Sequence, residues 1–233
     1  MKNRIIKSIY RFAADHGWLK SWHIFSFADY YDPSNMHFGN MRVFNDDFIE
    51  WKSGFWMHPH SNMEILTIML EWEITHTDSM WNKATIKKWQ IQTMSAGTGI
   101  RHSEENRSDK LVHLYQIWFL PIHAWNTPTY KDLDIKIENN KLNLLASNIV
   151  EEWLGYLDSD VKVYYWKYYK YESFEYTVEK NRWLFLYMYK WELIINKTTI
   201  SEWDQLRFEL EWIYDFKSNT VDCEFLLIDV TLK

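Results

Sequence analysis

Two short clusters in this chain have the residue types and spacing of metal ligands: His58-Pro59-His60 and His102-Ser103-Glu104. In an extended strand successive side chains alternate faces, so residues two apart point the same way. Each cluster can therefore aim two ligands into one cavity. Three imidazoles and one carboxylate make a mixed nitrogen and oxygen set that suits a divalent first-row metal, with positions left for water, O₂ or substrate. A redox or hydrolytic metal site is the first expectation. The competing reading is four ordinary polar residues, since histidine is commonly a surface or half-buried side chain. The second cluster weighs against it, because Gly97 and Gly99 form the turn that delivers His102 and Glu104 together at a strand start.

The elements around these clusters read as strands: short alternating or β-branched and aromatic runs bounded by Asn, Asp, Ser, Gly or Trp. Ile65 to Leu70, Gln90 to Met94, Leu111 to Phe119, Val161 to Tyr165, Trp183 to Tyr189, Glu192 to Ile195, Leu206 to Leu210 and Glu224 to Val230 are the clearest. The Tyr-rich run Tyr164 to Tyr171 reads as an aromatic strand pair, while Ile5 to Ala14 and Ser147 to Leu154 have room for short helices. Many short strands with tight turns make an all-β sandwich or barrel. The halves differ in chemistry: all nine histidines lie at or before His123, and the C-terminal half keeps strand character without an imidazole. Pro121 to Pro128 interrupts the strands and is the expected linker. The division is an N-terminal metal-binding domain over 1–125 and a C-terminal domain without ligands over 126–233.

At 233 residues the chain can bury a large core. A net charge of -6 argues against direct nucleic-acid binding, and the longest apolar run, Trp183 to Tyr189, is far short of the roughly 20 residues that cross a bilayer. The single cysteine, Cys223, excludes an internal disulfide and fits a reducing cytoplasm. Glycine and tryptophan counts are unusual: 6 glycines stand against 15 tryptophans, and Trp72, Trp81 and Trp191 occupy places where a turn residue belongs. Bulky residues in left-handed backbone cost about 1–2 kcal/mol each.

The segments His16-Gly17-Trp18-Leu19, Ser21-Trp22-His23-Ile24-Phe25, Arg42-Val43-Phe44-Asn45-Asp46-Asp47, His58-Pro59-His60 and Met94-Ser95-Ala96-Gly97-Thr98-Gly99-Ile100-Arg101-His102-Ser103-Glu104 resemble the pirin family, especially its short bacterial members described as quercetinases. The likeness is dense from about His16 to Pro128 and weaker beyond. It implies a bicupin, two β-sandwich barrels packed face to face with metal in the first alone. It also implies His58, His60, His102 and Glu104 as ligands, usually of iron, with Mn, Ni, Cu or Zn as alternatives. Cupins more broadly take the carboxylate from a Glu shortly after His-x-His, here Glu64, and the pirin pattern favours Glu104. Either carboxylate is a candidate to take a substrate proton. The implied activity is a dioxygenase opening a flavonol such as quercetin with O₂. The alternative is a non-catalytic iron-binding regulator acting through a protein partner. A cytoplasmic monomer is expected in either case. His23, His37, His76 and His113 are expected to be structural, with His76 near the metal strands.

Family glycines fall at positions matching Trp56, Trp72, Trp81, Trp89, Trp125, Trp166, Trp191 and Trp203, whereas family tryptophans match Trp18, Trp22 and Trp118. Drift does not replace glycine by its bulkiest alternative at so many turns. The expectation is a gene from a lineage reading UGA as glycine, written here with UGA as tryptophan.

Overall fold

The computed structural model describes residues 3–168, 172–209, 212–218, 220 and 222–232; its regular elements are strands, apart from one 3₁₀ turn at Ser8–Tyr10. Each half of the molecule pairs a seven-stranded sheet with a four-stranded one. In the first, Phe12–Asp15, Leu19–His23, Met41–Ile49, Val112–Phe119, Glu64–Glu71, Gln90–Ser95 and Thr129–Asp134 lie side by side. Facing them are Ser53–His60, Ile100–Asn106, Glu73–Asp78 and Lys83–Lys87. The second half repeats this plan with a large sheet centred on Arg182–Lys190 and Glu224–Thr231 and a small one centred on Ile213–Ser218. This is the expected bicupin.

Strand alternation explains how the halves join. Phe44, Leu66, Ile68, Tyr115 and Ile117 leave one face of the first large sheet and meet Phe185, Tyr187, Tyr165, Leu226 and Ile228 from the second in one buried cluster. At about 25 cal/mol per Å² of apolar area removed from water, such a double aromatic and aliphatic layer is the main cohesion between the barrels. The opposite faces of the same strands line the two barrel interiors.

The sheets cross the expected domain boundary twice. Thr129–Asp134 lies beyond 125 yet pairs with Gln90–Ser95 in the first sheet, and Arg4–Ile6 from the N-terminus pairs with Gln205–Phe208 in the second. Neither segment with room for short helices holds an α-helix: Ile5 to Ala14 is strand, a 3₁₀ turn at Ser8–Tyr10 and strand, and Ser147 ends the strand Leu142–Ser147, with a connection following to Leu154. Tyr164 to Tyr171 and Leu206 to Leu210 fall partly outside the described residues; Val161–Lys167 and Gln205–Phe208 are strands. No helix among the described residues is long and apolar enough to cross a membrane.

Six of the eight tryptophans set apart in the sequence have left-handed backbone: Trp72, Trp81, Trp89, Trp125, Trp191 and Trp203, with φ between 61° and 71°. Trp56 and Trp166 do not share it.

Candidate metal centre

The inner face of the first barrel carries a polar belt. Register places Asn45, Gln116, Thr67 and Gln92 in one row across four adjacent strands. Below the row lies an apolar plug of Ile49, Met69, Ile74, Ile86, Val112 and Leu114. Above it, Ile65, Met94 and Ile100 pack together against Trp118. A polar layer between apolar ones is costly unless its members bond one another or a ligand.

Much of that row binds Glu104, which projects from the small sheet and is 0% exposed. Gln116 donates to its Oε2 at 2.6 Å, and Gln92 and Thr67 donate to its Oε1 at 3.2 Å and 3.4 Å. The carboxylate is thereby fixed in position.

The imidazoles converge beside it. His102 pairs in register with His58, and Ile100 with His60, so the facing strands deliver all three rings to one level. Their ligand nitrogens lie within 4.8 Å of one another. A β-bulge follows, with Trp56 and Met57 opposing Ser103 between the His58–His102 and Phe55–Glu104 pairs. The bulge turns Trp56 outward and lets the His58 Nδ1–H donate to the Trp56 carbonyl at 2.7 Å, which leaves Nε2 free as a ligand. Gly54 makes the close approach possible, since a Cβ there would stand 2.2 Å from the Glu104 carbonyl oxygen.

These side chains fit a divalent metal. His60 Nε2 and both ring nitrogens of His102 are buried without a partner among the described residues. Burial, reinforced by neighbouring imidazoles, lowers the pKa of His60 to about 4 and that of His102 to about 3. Both rings are neutral at neutral pH, as ligation requires.

Glu104 shares a second cluster with His102 and His76. His76 was expected among structural histidines near the metal strands, and it is both: Nε2 bonds Asp78 Oδ2 at 3.0 Å, the ring stacks on Tyr130, and its centroid is 5.3 Å from His102. His113 bonds Asp46, and His37 bonds the Gly39 carbonyl. His23, by contrast, lines the cavity next to the ligands.

Glu64 does not join the cluster. It shares a strand face with Leu66 and Ile68, toward the second barrel, where Oε1 accepts from Ser95 at 2.6 Å and Oε2 from the Asp158 backbone N–H at 3.0 Å. Its even spacing from His60 carried no information, because the connection at Ser61 to Met63, with Asn62 at φ 48°, breaks the strand alternation.

A cavity of about 320 Å³ opens beside His58 and Gln116, walled by Trp18, Phe27, Phe55, Trp56 and Trp118. That volume is at the lower end of small-molecule sites, about 300–1,000 Å³. Asp47, Asn45 and Ser21 also line it, and sequence reasoning missed all three.

Two face-to-face barrels, one with a histidine and carboxylate cluster inside it, define a bicupin with one candidate metal centre among the described residues. The Pirin family profile matches residues 6–119. The quercetin 2,3-dioxygenase of Escherichia coli strain K12 is 40% identical over 218 residues, 93% of this chain and 94% of that protein. The chain belongs to the pirin family. The crystal structure of YhhW from Escherichia coli superposes with a TM-score of 0.94 at 38% identity, covering 100% of this chain and 99% of that one. A crystal structure of bacterial pirin YhhW in complex with nickel(II) superposes with a TM-score of 0.92 at 37% identity, with both chains covered completely. A divalent metal therefore suits both the donor set and the family.

Proposed function

We propose that this protein is a metal-dependent dioxygenase that opens the central ring of a flavonol, quercetin or a close analogue, with O₂. The observation that carries it is the convergence of three imidazoles, with a braced carboxylate beside His102, next to an aromatic-walled cleft that His58 lines, in a chain 40% identical to a quercetin 2,3-dioxygenase.

His58, His60, His102 and Glu104 hold the metal in this reading, with iron(II) as the resident ion and Mn, Ni, Cu or Zn able to occupy the same donors. The bound ion supplies Lewis acidity and a template for both reactants. The remaining work belongs to the chain. Trp18, Phe55 and Trp118 present apolar surface to the faces of a flat ring and keep water from it. The Trp56 carbonyl fixes the His58 tautomer, and Gln116, Gln92 and Thr67 fix Glu104. In this reading Glu104 takes the proton of a ring hydroxyl that docks beside the ligands. Glu64, turned toward the other barrel, has no part in it.

Each barrel is complete within one chain, consistent with a monomer. Cys223 is buried in the second barrel, where burial pushes its thiol up to about 12, which suits a cytoplasmic protein without disulfides.

Aerobic incubation of the metal-loaded protein with quercetin tests the proposal, read as loss of flavonol absorbance and release of CO. Turnover dependent on added metal supports it. Stoichiometric metal with no turnover under iron, manganese, nickel or copper would replace it with the regulatory reading, in which metal state tunes a protein partner.

A further inference from the structure

Asp46 and Asp47 are neighbours in sequence and opposites in environment, although both are buried. Alternation sends Asp46 to the face between the barrels. There it accepts from His113 Nε2 at 2.7 Å, the Tyr187 hydroxyl at 2.6 Å and Arg11 Nη1 at 3.2 Å. Asp47 faces the cavity, and neither of its oxygens receives a hydrogen bond from a described residue. The Ser21 hydroxyl, opposite it in register, is close enough to ease its charge but is not in bonding geometry.

The same wall carries more unpaired polar atoms. Ser21 Oγ, His23 Nδ1 and Asn45 Oδ1 are buried without partners, and their residues line the cavity that reaches His58. Register places Ser21 beside Asp47 and His23 beside Asn45 on paired strands. Buried polar groups are almost always bonded, and each one left unmet costs about 1–3 kcal/mol. Five such atoms on one wall are unnecessary for folding, since the adjacent Asp46 shows that this strand can satisfy a buried carboxylate fully. Burial also pushes the Asp47 carboxyl up to about 7, with Ser21 opposing and the charges of Asp46 and Glu104 adding.

We propose that Asp47, with Ser21, His23 and Asn45, forms a specificity-determining subsite that hydrogen-bonds the ring hydroxyls of a polyhydroxylated planar aromatic bound beside the metal ligands. The subsite deepens the reading of this cavity as a flavonol site and rests on it. Asp47 accepts from a ring hydroxyl, and the Ser21 hydroxyl and the Asn45 amide and carbonyl supply matching donors and acceptors. His23, whose pKa burial lowers, adds a neutral ring nitrogen.

The test is anaerobic titration of the nickel-loaded protein with quercetin and with 3-hydroxyflavone. Both carry the chelating 3-hydroxyl and 4-carbonyl, and they differ in their other ring hydroxyls. The wild type is expected to bind quercetin at least about tenfold more tightly. Asp47→Leu, of similar shape, should erase that preference, Asp47→Asn should keep part of it, and Ser21→Ala should weaken it. All three variants should retain one nickel and a urea midpoint no lower than the wild type. Equal affinity of the wild type for both flavonols, an undiminished preference in Asp47→Leu, or loss of nickel and stability in Asp47→Leu would each overturn the subsite while leaving the flavonol reading standing. Binding of neither flavonol to the wild type would overturn the flavonol reading itself, and the subsite with it.

The tryptophans carry a second, independent inference. Among the described residues fourteen non-glycine residues have positive φ: six are Trp, while Asn and Asp, which tolerate this conformation, together supply five. Trp72, Trp81, Trp125 and Trp191 are also exposed by half or more of their surface, so little burial offsets the strain. At about 1–2 kcal/mol each, six such residues would cost roughly 6–12 kcal/mol, comparable with a whole domain's net stability of about 5–15 kcal/mol. We infer that the natural chain carries glycine at these six positions, through UGA codons read as glycine. Sequencing the gene decides it: UGA at all six is expected, and UGG at Trp72, Trp81 or Trp191 overturns it. In the protein, Trp81→Gly and Trp191→Gly should each raise the urea midpoint, and a lowered midpoint in both would contradict the strain argument.

Discussion

The two barrels share one plan and have opposite interiors. Inside the second, Leu184, Leu186, Met188, Phe208, Phe216 and Phe225 pack as a closed apolar core, with Trp166 and Phe174 stacked 4.0 Å apart. Inside the first, the corresponding space holds Asn45, Thr67, Gln92, Gln116, Glu104 and three imidazoles, with an apolar plug below and an apolar cluster above. The backbone plan thus leaves the chemistry open, and the inward residue at alternate strand positions decides it. Apolar filling gives the second barrel stability. Polar filling gives the first a candidate site, with Glu104 kept in place by Gln116, Gln92 and Thr67.

The contrast can be broken most severely at the ligands. His102→Ala, which removes the ring between His58 and Asp78 in register, should reduce metal-dependent flavonol consumption to background in a steady-state assay. Phe216→Ala, in the second barrel, should cost about 3–5 kcal/mol in urea unfolding and leave metal content unchanged in the folded fraction. Gln116→Ala, which frees one oxygen of Glu104, should weaken metal binding by about 10- to 100-fold in competition with a chelator.

The smallest effect concerns Glu64, between the barrels. Burial raises its pKa from the ordinary 4.5 to about 7, so the fold favours the protonated acid. Its stabilising contribution is fully present below the unfolded value of 4.5 and is lost as pH rises through about 7. Glu64→Gln should therefore flatten the fall in urea midpoint between about pH 5 and about pH 8 without altering metal content.

The convergence of the candidate ligands was legible because His58-Pro59-His60 and His102-Ser103-Glu104 lie within strands, where alternation carries information. Glu64 was misplaced because a connection intervenes at Ser61 to Met63, and alternation does not survive a turn. Asp47 escaped notice because Met41–Ile49 is buried on both faces, which removes the polar and apolar rhythm that tells inside from outside. The exchange of Arg4–Ile6 and Thr129–Asp134 between sheets was invisible for a different reason: strand order depends on pairing distant in sequence, and a proline-containing linker marks an interruption without saying which sheet follows. The left-handed tryptophans were legible at six of eight positions, where a turn demanded a residue without Cβ.

Nickel(II) titration of the metal-free protein, followed by elemental analysis after dialysis, tests the central claim most directly. The account predicts one nickel per chain in the wild type and in Phe216→Ala, and none in His58→Ala or His102→Ala. Two nickels per chain in the wild type, or one retained after loss of either histidine, would contradict it.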